Sequence, residues 1–293
     1  MRGTPPKLER REPIVTRTEP PPDQTPAEPL RLSRTTSAAE AFLRDTPVLK
    51  ARFRPIELAP GSDRVAYVLE RASGRRLALK LMRTAATSDW DDWAALEKEA
   101  KTLRSLHHRG IPRWREHGET EGGAFLLMER APGLSLQARM DRGDRWSDAK
   151  LIRVLQRLLD VVAYLQELNP PVYHCAIRPE HVVVSDRGDV ALTSFGEARS
   201  IVTSATTFVG DGVYFPAGAR PGPAADLYGV GATIAALASG TDAGALPRRG
   251  PTIDLGACMR PSLVRDALEI ALAQASEGQT AAELARRIAQ MQR

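Results

Sequence analysis

The chain has 293 residues, of which 42% are hydrophobic and 26% charged, as expected for one large globular domain or two lobes. Its net charge of +5 comes from basic residues interspersed with Asp and Glu, which argues against a nucleic-acid-binding surface. There are two distant cysteines, no apolar run of about 20 residues and no apolar N-terminal segment, so we expect a cytoplasmic protein without disulfides, membrane span or secretory signal.

Residues 1–46 are predicted to be a disordered, Pro-rich tail. Eight of the 22 prolines lie within the first 30 residues, and no apolar periodicity accompanies them. Such a segment cannot bury enough apolar surface to offset the entropy lost on ordering. The folded domain is therefore expected at residues 47–293. The composition favours an inert linker over a phosphorylatable tether, although Ser and Thr lie near arginines.

The first part of the predicted domain reads as strands with one helix. Strands are predicted at Phe53–Leu58, Val65–Leu69, Arg76–Met82, Ile111–Trp114 and Ala124–Met128. After Ser88-Asp89, a helix is predicted from an apolar stripe formed by Trp90, Trp93, Leu96, Ala100, Leu103 and Leu106.

After Gly133 the pattern is mainly helical. Ser147 precedes a long amphipathic helix that ends before Pro170-Pro171, and two more helices are predicted at Ser262–Ala275 and Thr280–Gln292. Strands first and helices afterwards predict an α+β fold with two lobes.

The segment from Tyr173 to Ala198 carries the motifs on which function depends. It contains HCAIRPEH, beginning at His174, and SFG, beginning at Ser194. This layout resembles the catalytic and metal-binding loops of protein kinases, H-R-D-x-K-P-E-N and D-F-G, and in particular the bacterial Ser/Thr kinase type. The resemblance implies a small β-rich N-lobe with one helix at 47–130, a hinge after Met128, and a larger helical C-lobe at 131–293. It also implies a buried helix whose Asp226 binds the backbone of the catalytic loop.

The resemblance further implies a set of nucleotide-binding residues. They are Lys80, Glu99, Gly61, Val65, Ala78, Glu129, Ala131 and Val183. Gly61 alone remains of the three glycines expected over the phosphates, and side chains there intrude on a phosphate-binding backbone. Lys80 and Glu99 would pair, either to contact phosphates or only to brace the lobe.

Three residues that the chemistry needs are replaced. Ala176 stands at the position of the proton-accepting Asp, His181 at that of a metal-binding Asn, and Ser194 at that of the metal-binding Asp. Loss of a general base alone costs about 10²–10⁴-fold in rate, and Mg²⁺ prefers oxygen ligands to imidazole. The sequence therefore predicts no catalytic residue and no metal site.

Other features of the family are also missing. Cys175 replaces an Arg that reads a phosphorylated loop, and no clear substrate-docking helix can be found between Thr241 and Pro261, where glycines and prolines interrupt any helical period. In contrast, packing positions of the family remain apolar or aromatic, at Leu103, Trp114, His174 and Phe195.

These observations predict a catalytically inactive kinase-fold protein, a pseudokinase, acting as a scaffold or allosteric regulator in protein-phosphorylation signalling. Expected partners are proteins, such as an active kinase or a phosphopeptide-binding protein, and not nucleic acid. No cofactor is certain, and ATP without Mg²⁺ is the candidate ligand. Two alternatives stay open: residual or atypical Ser/Thr kinase activity using Lys80 and Arg178, and a metal-independent ATP-binding sensor.

Overall fold

The computed structural model describes residues 40–41, 43–60, 62–83, 90–120, 122–200, 212–216, 218–273 and 279–292, without the side chains of 90–92 and 200. All of them belong to one compact unit, Arg34–Arg293. The predicted disordered tail falls largely on residues 1–39, which lie outside the described residues. Strands come first and helices afterwards, so the predicted α+β class with two lobes is confirmed.

The N-lobe contains a five-stranded antiparallel sheet with strand order β1-β2-β3-β5-β4. Its strands are β1 (Phe53–Leu58), β2 (Val65–Glu70), β3 (Arg76–Arg83), β4 (Trp114–Thr120) and β5 (Gly123–Glu129). The strand predicted at 111–114 is wrong, because β4 begins at Trp114. The apolar Ile111 is instead buried in the loop before β4. Pro112, in the same loop, has no N–H to donate to a strand ladder.

One face of this sheet is covered by the segment that precedes it. Helix α1 (Pro47–Arg52) contributes Leu49, and Leu43 is fully buried against the same apolar cluster. Arg52, the last residue of α1, donates two hydrogen bonds of 3.0 and 2.9 Å to Glu116 of β4. The packed chain therefore includes Leu43, which the sequence placed in the tail, because one leucine among polar residues produces no periodic signal.

The other face of the sheet packs against helix α2 (Trp90–Ser105). Leu96 and Leu103 are buried as predicted, but Trp93 is 37% exposed and does not belong to the buried stripe. The predicted cap, Ser88-Asp89, lies outside the described residues.

The C-lobe is built on two long helices. Helix α3 (Leu136–Asp141) precedes the amphipathic α4 (Asp148–Gln166), and α5 (Pro223–Ser239) is buried along almost its whole length. A helix that is apolar on all sides is stable only inside a core. Helices α6 (Leu255–Cys258), α7 (Leu263–Leu272) and α8 (Ala281–Met291) follow, the last two close to the predicted positions.

Pairs of short strands fix the positions of the loops in the C-lobe. Strand β6 (Leu134–Ser135) pairs with β8 (Val182–Val184), and β8 pairs with β9 (Val190–Leu192). Strand β7 (Val172–Tyr173) pairs with β10 (Arg199–Ser200).

The region between Thr241 and Pro261 contains little helix. Its described residues form a 3-10 turn, a hairpin of β11 (Arg248–Arg249) and β12 (Thr252–Ile253), and the four-residue α6. The prediction that a regular docking helix is hard to find there is thus confirmed. Separately, none of the helices within the described ranges is both long and apolar enough to cross a membrane.

Candidate functional site

A cleft of about 330 Å³ lies between the sheet of the N-lobe and the loops of the C-lobe. Seven of the eight predicted nucleotide-binding residues line it, and the eighth, Gly61, lies outside the described residues. The seven are Lys80, Glu99, Val65, Ala78, Glu129, Ala131 and Val183. The structure therefore brings the predicted residues together, while their role in binding nucleotide stays a prediction.

One carboxylate joins three elements at the back of the cleft. Lys80 Nζ on β3 lies 2.6 Å from Oε2 of Glu99 on α2. The other oxygen of Glu99 accepts a hydrogen bond of 2.9 Å from the backbone N–H of Phe195. Glu99 is only 1% exposed, so removal of Lys80 would leave a buried charge without its cation, at a cost of about 3–5 kcal/mol.

His181 braces the loop at the floor of the cleft. Its Nδ1 lies 2.7 Å from the carbonyl oxygen of Ala176. Because a carbonyl only accepts, Nδ1 carries the proton of the neutral ring. Burial lowers the pKa of His181 to about 4, which keeps the imidazole neutral near pH 7. Ala176 is itself 4% exposed and presents only a methyl group beyond its backbone.

His174 is a second buried and neutral imidazole. Its Nε2 donates to the carbonyl of Thr193 at 2.9 Å, its Nδ1 accepts the N–H of Ala176 at 3.3 Å, and its ring meets the edge of Phe195 with centroids 4.8 Å apart. Burial lowers the pKa of His174 to about 3. This histidine therefore acts in packing and loop geometry.

Asp226 of α5 holds the start of the same loop. Its two carboxylate oxygens accept the backbone N–H groups of His174 at 2.8 Å and Cys175 at 2.9 Å. Cys175 has a φ of 61°, in the left-handed region that non-glycine residues seldom adopt. The contact expected of Asp226 is thus present, and it stabilises a strained backbone.

Ser194 also occupies a left-handed conformation, with φ 65° and ψ 64°. Asn and Asp tolerate this conformation better than other non-glycine residues do. The neighbouring Phe195 is fully buried and bonded to Glu99, which holds the turn in place. Ser194 lines the cleft with a neutral hydroxyl group.

Comparison with known proteins identifies this architecture. The chain matches the sequence model of the protein kinase domain over residues 61–246. The chain belongs to the protein kinase family. The bacterial-type resemblance read from the sequence is confirmed, since Ser/Thr kinases of bacteria are among the similar proteins.

Three curated relatives of this kinase domain illustrate the similarity. CBL-interacting protein kinase 30 of Oryza sativa subsp. japonica is 27% identical over 54% of this chain and 33% of its own length. The probable serine/threonine-protein kinase pknA2 of Bifidobacterium longum is 28% identical over 52% of this chain and 21% of its length. PknL of Mycobacterium tuberculosis is 27% identical over 61% of this chain and 47% of its length. The matched region thus spans less than half of each relative.

The kinase cleft is lined by charges of both signs. Lys80 and Arg178 supply positive charge, and Glu99, Glu129 and Glu180 supply negative charge. Glu99 is paired with Lys80, and Glu129 forms an ion pair with Arg115. In the part of the chain that the structure describes, no three His, Cys, Asp or Glu side chains cluster to hold a metal ion.

Tyr67 is a residue of the kinase cleft that sequence reasoning missed. It lines the cleft beside Val65 and lies opposite Ala78 in the β2–β3 register. Side chains two positions apart on a strand share a face. The alternation of β2 was therefore a sufficient signal to find Tyr67 once Val65 had been assigned to the cleft.

Proposed function

We propose that this kinase-fold protein does not transfer phosphate and acts as a scaffold or allosteric partner in protein-phosphorylation signalling. The carrying observation is that His181 and Ser194 line the cleft, that His181 is hydrogen-bonded to the backbone carbonyl of Ala176, and that none of these three side chains is a carboxylate. Their side chains are a methyl group, a neutral imidazole and a hydroxyl group.

Each of these replacements removes something that phosphoryl transfer requires. The reaction depends on metal ions that neutralise charge and on a residue that orients and deprotonates the nucleophile. Ala176 has no group that accepts a proton, and loss of a general base lowers rates about 10²–10⁴-fold. Ser194 lacks the negative charge that would hold Mg²⁺, which prefers oxygen ligands of near-octahedral geometry. Imidazole at His181 does not replace them.

The retained contacts support a role that needs a folded kinase domain but no phosphoryl transfer. Glu99 links Lys80 to Phe195, Asp226 holds the loop backbone, and the aromatic rings remain packed. These contacts join elements of both lobes around the cleft. The partners we propose are proteins, for example an active kinase or a phosphopeptide-binding protein in the cytoplasm, and not nucleic acid.

A phosphotransfer assay tests the proposal directly. The purified chain, given radiolabelled ATP with Mg²⁺ or Mn²⁺, should incorporate no more phosphate into itself or a basic protein substrate than Lys80→Ala does. Lys101→Ala, which removes a 72%-exposed lysine of α2, is the matched control for loss of a lysine. Incorporation that persists in Lys101→Ala and disappears in Lys80→Ala would overturn the proposal and support residual kinase activity.

One observation favours a second function for the same cleft, the binding of nucleotide without metal. Lys80, Arg178 and the neutral Ser194 line the cleft, and the nearby Ala176 carries no carboxylate either. Like charges repel strongly in a partly buried site. The absence of carboxylates at these two positions therefore lowers the repulsion that a metal ion would otherwise neutralise, while Glu180 and Glu99, the partner of Lys80, keep part of the negative charge of the cleft.

This second function predicts that ATP stabilises the protein in EDTA. At a hundredfold excess over its dissociation constant, a ligand adds about 2.7 kcal/mol, or about 5–10 °C in Tm for a domain of this size. Ala78→Trp, which fills the cleft, should abolish the shift, and Lys101→Ala should keep it. No shift at millimolar ATP would contradict metal-free binding, and a shift that requires Mg²⁺ would favour residual kinase activity.

A further inference from the structure

An open groove of about 480 Å³ lies between α7 and α8 of the C-lobe and is named here the α7–α8 groove. Six residues line it, and none of them lines the cleft of the candidate site. The α7 side contributes Asp266, Glu269, Ile270 and Ala273, and the α8 side contributes Arg287 and Met291. The groove is therefore a surface feature separate from the candidate site.

Helix periodicity explains why these side chains share the groove. Both helices bury their other faces in the core of the C-lobe. On α7, Asp266 and Ile270 are four residues apart, and residues at this spacing lie on one face of a helix. Arg287 and Met291 have the same spacing on α8. The walls of the groove thus stand on helices that the core holds in place.

The two walls of the groove carry opposite charges. Asp266 and Glu269 place carboxylates on the α7 wall, and Arg287 places a guanidinium on the α8 wall. Glu269 is paired with Arg265 of its own helix at 2.8 Å. Among the residues that the structure describes, Asp266 and Arg287 are exposed and form no ion pair, although both line the same groove. The groove therefore presents one unpaired charge of each sign to solvent.

Apolar side chains line the groove one helical turn along from these charges. Ile270 follows Asp266 on α7, and Met291 follows Arg287 on α8. Met291 is 37% exposed, which is unusual for a large apolar residue of this chain. Protein–protein interfaces combine an apolar centre with a polar rim, and Met and Arg are enriched in them. The composition of the groove is therefore that of a protein interface.

A second copy of this groove supplies the charges that the first one leaves unpaired. In an isologous contact about a two-fold axis, residue i of one copy meets residue j of the other, and the reverse contact forms as well. An axis that passes through the groove brings Asp266 of each copy to Arg287 of the other, with Ile270 and Met291 between the two pairs. An unrelated partner would have to match an acid, a base and an apolar centre independently.

We propose that the α7–α8 groove is the interface of a homodimer, in which Asp266 pairs with Arg287 of the partner subunit and the reverse pair forms across the two-fold axis. The inference does not depend on the cleft, so it holds whether or not nucleotide binds there. A dimer presents every other surface of the domain twice, which raises the avidity for a partner that is itself multivalent.

The test is the oligomeric state of the whole chain, measured by analytical ultracentrifugation from about 1 to about 100 µM, a range that covers weak dimers. The wild type should dimerise within this range. Asp266→Arg and Arg287→Asp each place like charges opposite each other at two symmetric positions, and should each raise the dimer Kd at least about tenfold. Arg286→Asp makes the same change of charge at an exposed neighbour outside the groove, and should leave the Kd unchanged.

A mixture of the two charge-reversed chains tests the pairing itself. In a mixed dimer of Asp266→Arg with Arg287→Asp, both symmetric contacts join opposite charges again, whereas each variant alone joins like charges at both. Native mass spectrometry of differently tagged chains should therefore show the mixed dimer in excess over either homodimer. Random mixing, or no mixed dimer, would contradict the proposed pairing of these two residues.

Circular dichroism checks that each variant is folded, which the exposure of both residues favours. Met291→Lys provides an independent variant, since it places a charge in the apolar centre and should also raise the dimer Kd at least about tenfold. A wild type that stays monomeric at the highest concentration, or a dimer that no groove variant weakens, would overturn the inference. Either result leaves the proposed lack of phosphoryl transfer untouched, because that proposal concerns the cleft.

Discussion

Restoring three polar groups should make nucleotide binding by this protein depend on magnesium. In the triple variant Ala176→Asp, His181→Asn, Ser194→Asp, Mg²⁺ should raise the affinity for ATP at least about tenfold over the value in EDTA, a gain of about 1.4 kcal/mol. In the wild type, Mg²⁺ should have no such effect. Carboxylate and amide oxygens are the ligands that Mg²⁺ takes together with phosphate oxygens, and the wild type lacks them at these positions.

The local backbone is suited to this change. Ser194 already lies in the left-handed region, at φ 65° and ψ 64°, which Asp adopts more readily than Ser. The adjoining Phe195 is anchored by its hydrogen bond to Glu99. The new carboxylate at position 194 should therefore project from an unchanged turn, beside the cleft that Ser194 now lines.

The matched control keeps the size of the introduced side chains and removes their negative charge. A variant with Ala176→Asn, His181→Asn and Ser194→Asn has side chains of the same shape without carboxylates. Calorimetric titrations of both variants with ATP, in Mg²⁺ and in EDTA, should show a metal effect in the first variant alone. An equal effect in both variants, or an effect already present in the wild type, would show that these carboxylates do not decide metal dependence.

Asp226→Ala should be among the most destabilising single substitutions in the chain. It would remove the acceptor of two buried N–H groups, those of His174 and Cys175. Two orphaned donors and a small cavity should cost about 3–5 kcal/mol in unfolding free energy. Asp226→Asn keeps the volume and one acceptor oxygen, and should cost about 1–3 kcal/mol. Urea unfolding followed by circular dichroism measures both values.

An exposed aspartate supplies the control for this prediction. Asp186 is 98% exposed and pairs with Arg139 at 3.1 Å. Asp186→Asn should change the unfolding free energy by less than about 1 kcal/mol. Comparable losses for Asp186→Asn and Asp226→Ala would contradict the role assigned to Asp226.

The pH dependence of the Asp226 variants is a second measure of the same contact. Burial raises the pKa of Asp226 to about 7, against the effect of its two N–H donors, whereas an unfolded aspartate titrates near about 3.9. Between these values the folded protein holds a proton that the unfolded chain has released. Stability from this group is therefore complete below about pH 4 and falls as the pH rises through about 7. The stability difference between wild type and Asp226→Asn should shrink over that range.

The fold was predictable wherever local pattern and turn chemistry agree. The first three strands are separated by Pro-Gly and Ser-Gly sequences and appear within a residue of the predicted bounds. The pattern failed at Ile111, where burial in a loop imitates a strand, and at Leu43, whose apolar contacts come from residues far along the chain. Both failures arise because burial depends on tertiary neighbours, which a local window does not contain.

The sequence predicted most residues of the candidate site but not the contacts that they make with one another. The resemblance implied that Lys80 and Glu99 pair, and Lys80 Nζ lies 2.6 Å from Glu99 Oε2. No spacing indicated that Glu99 also accepts the N–H of Phe195, 96 residues away. The stacking of Arg130 on the Tyr67 ring was missed for the same reason, because it depends on where the chain after β5 returns to the sheet.

By itself, the sequence determined which chemical groups are present. Ala176 has no titratable side chain and Ser194 carries no charge in any fold, so the absence of carboxylates at these positions follows from residue identity. Only the tertiary structure decided that His181, Ser194 and Tyr67 line one cleft, and that the His181 ring is neutral and hydrogen-bonded to the carbonyl of Ala176. Those properties depend on burial and on hydrogen bonds between distant segments, and folding alone brings such segments together.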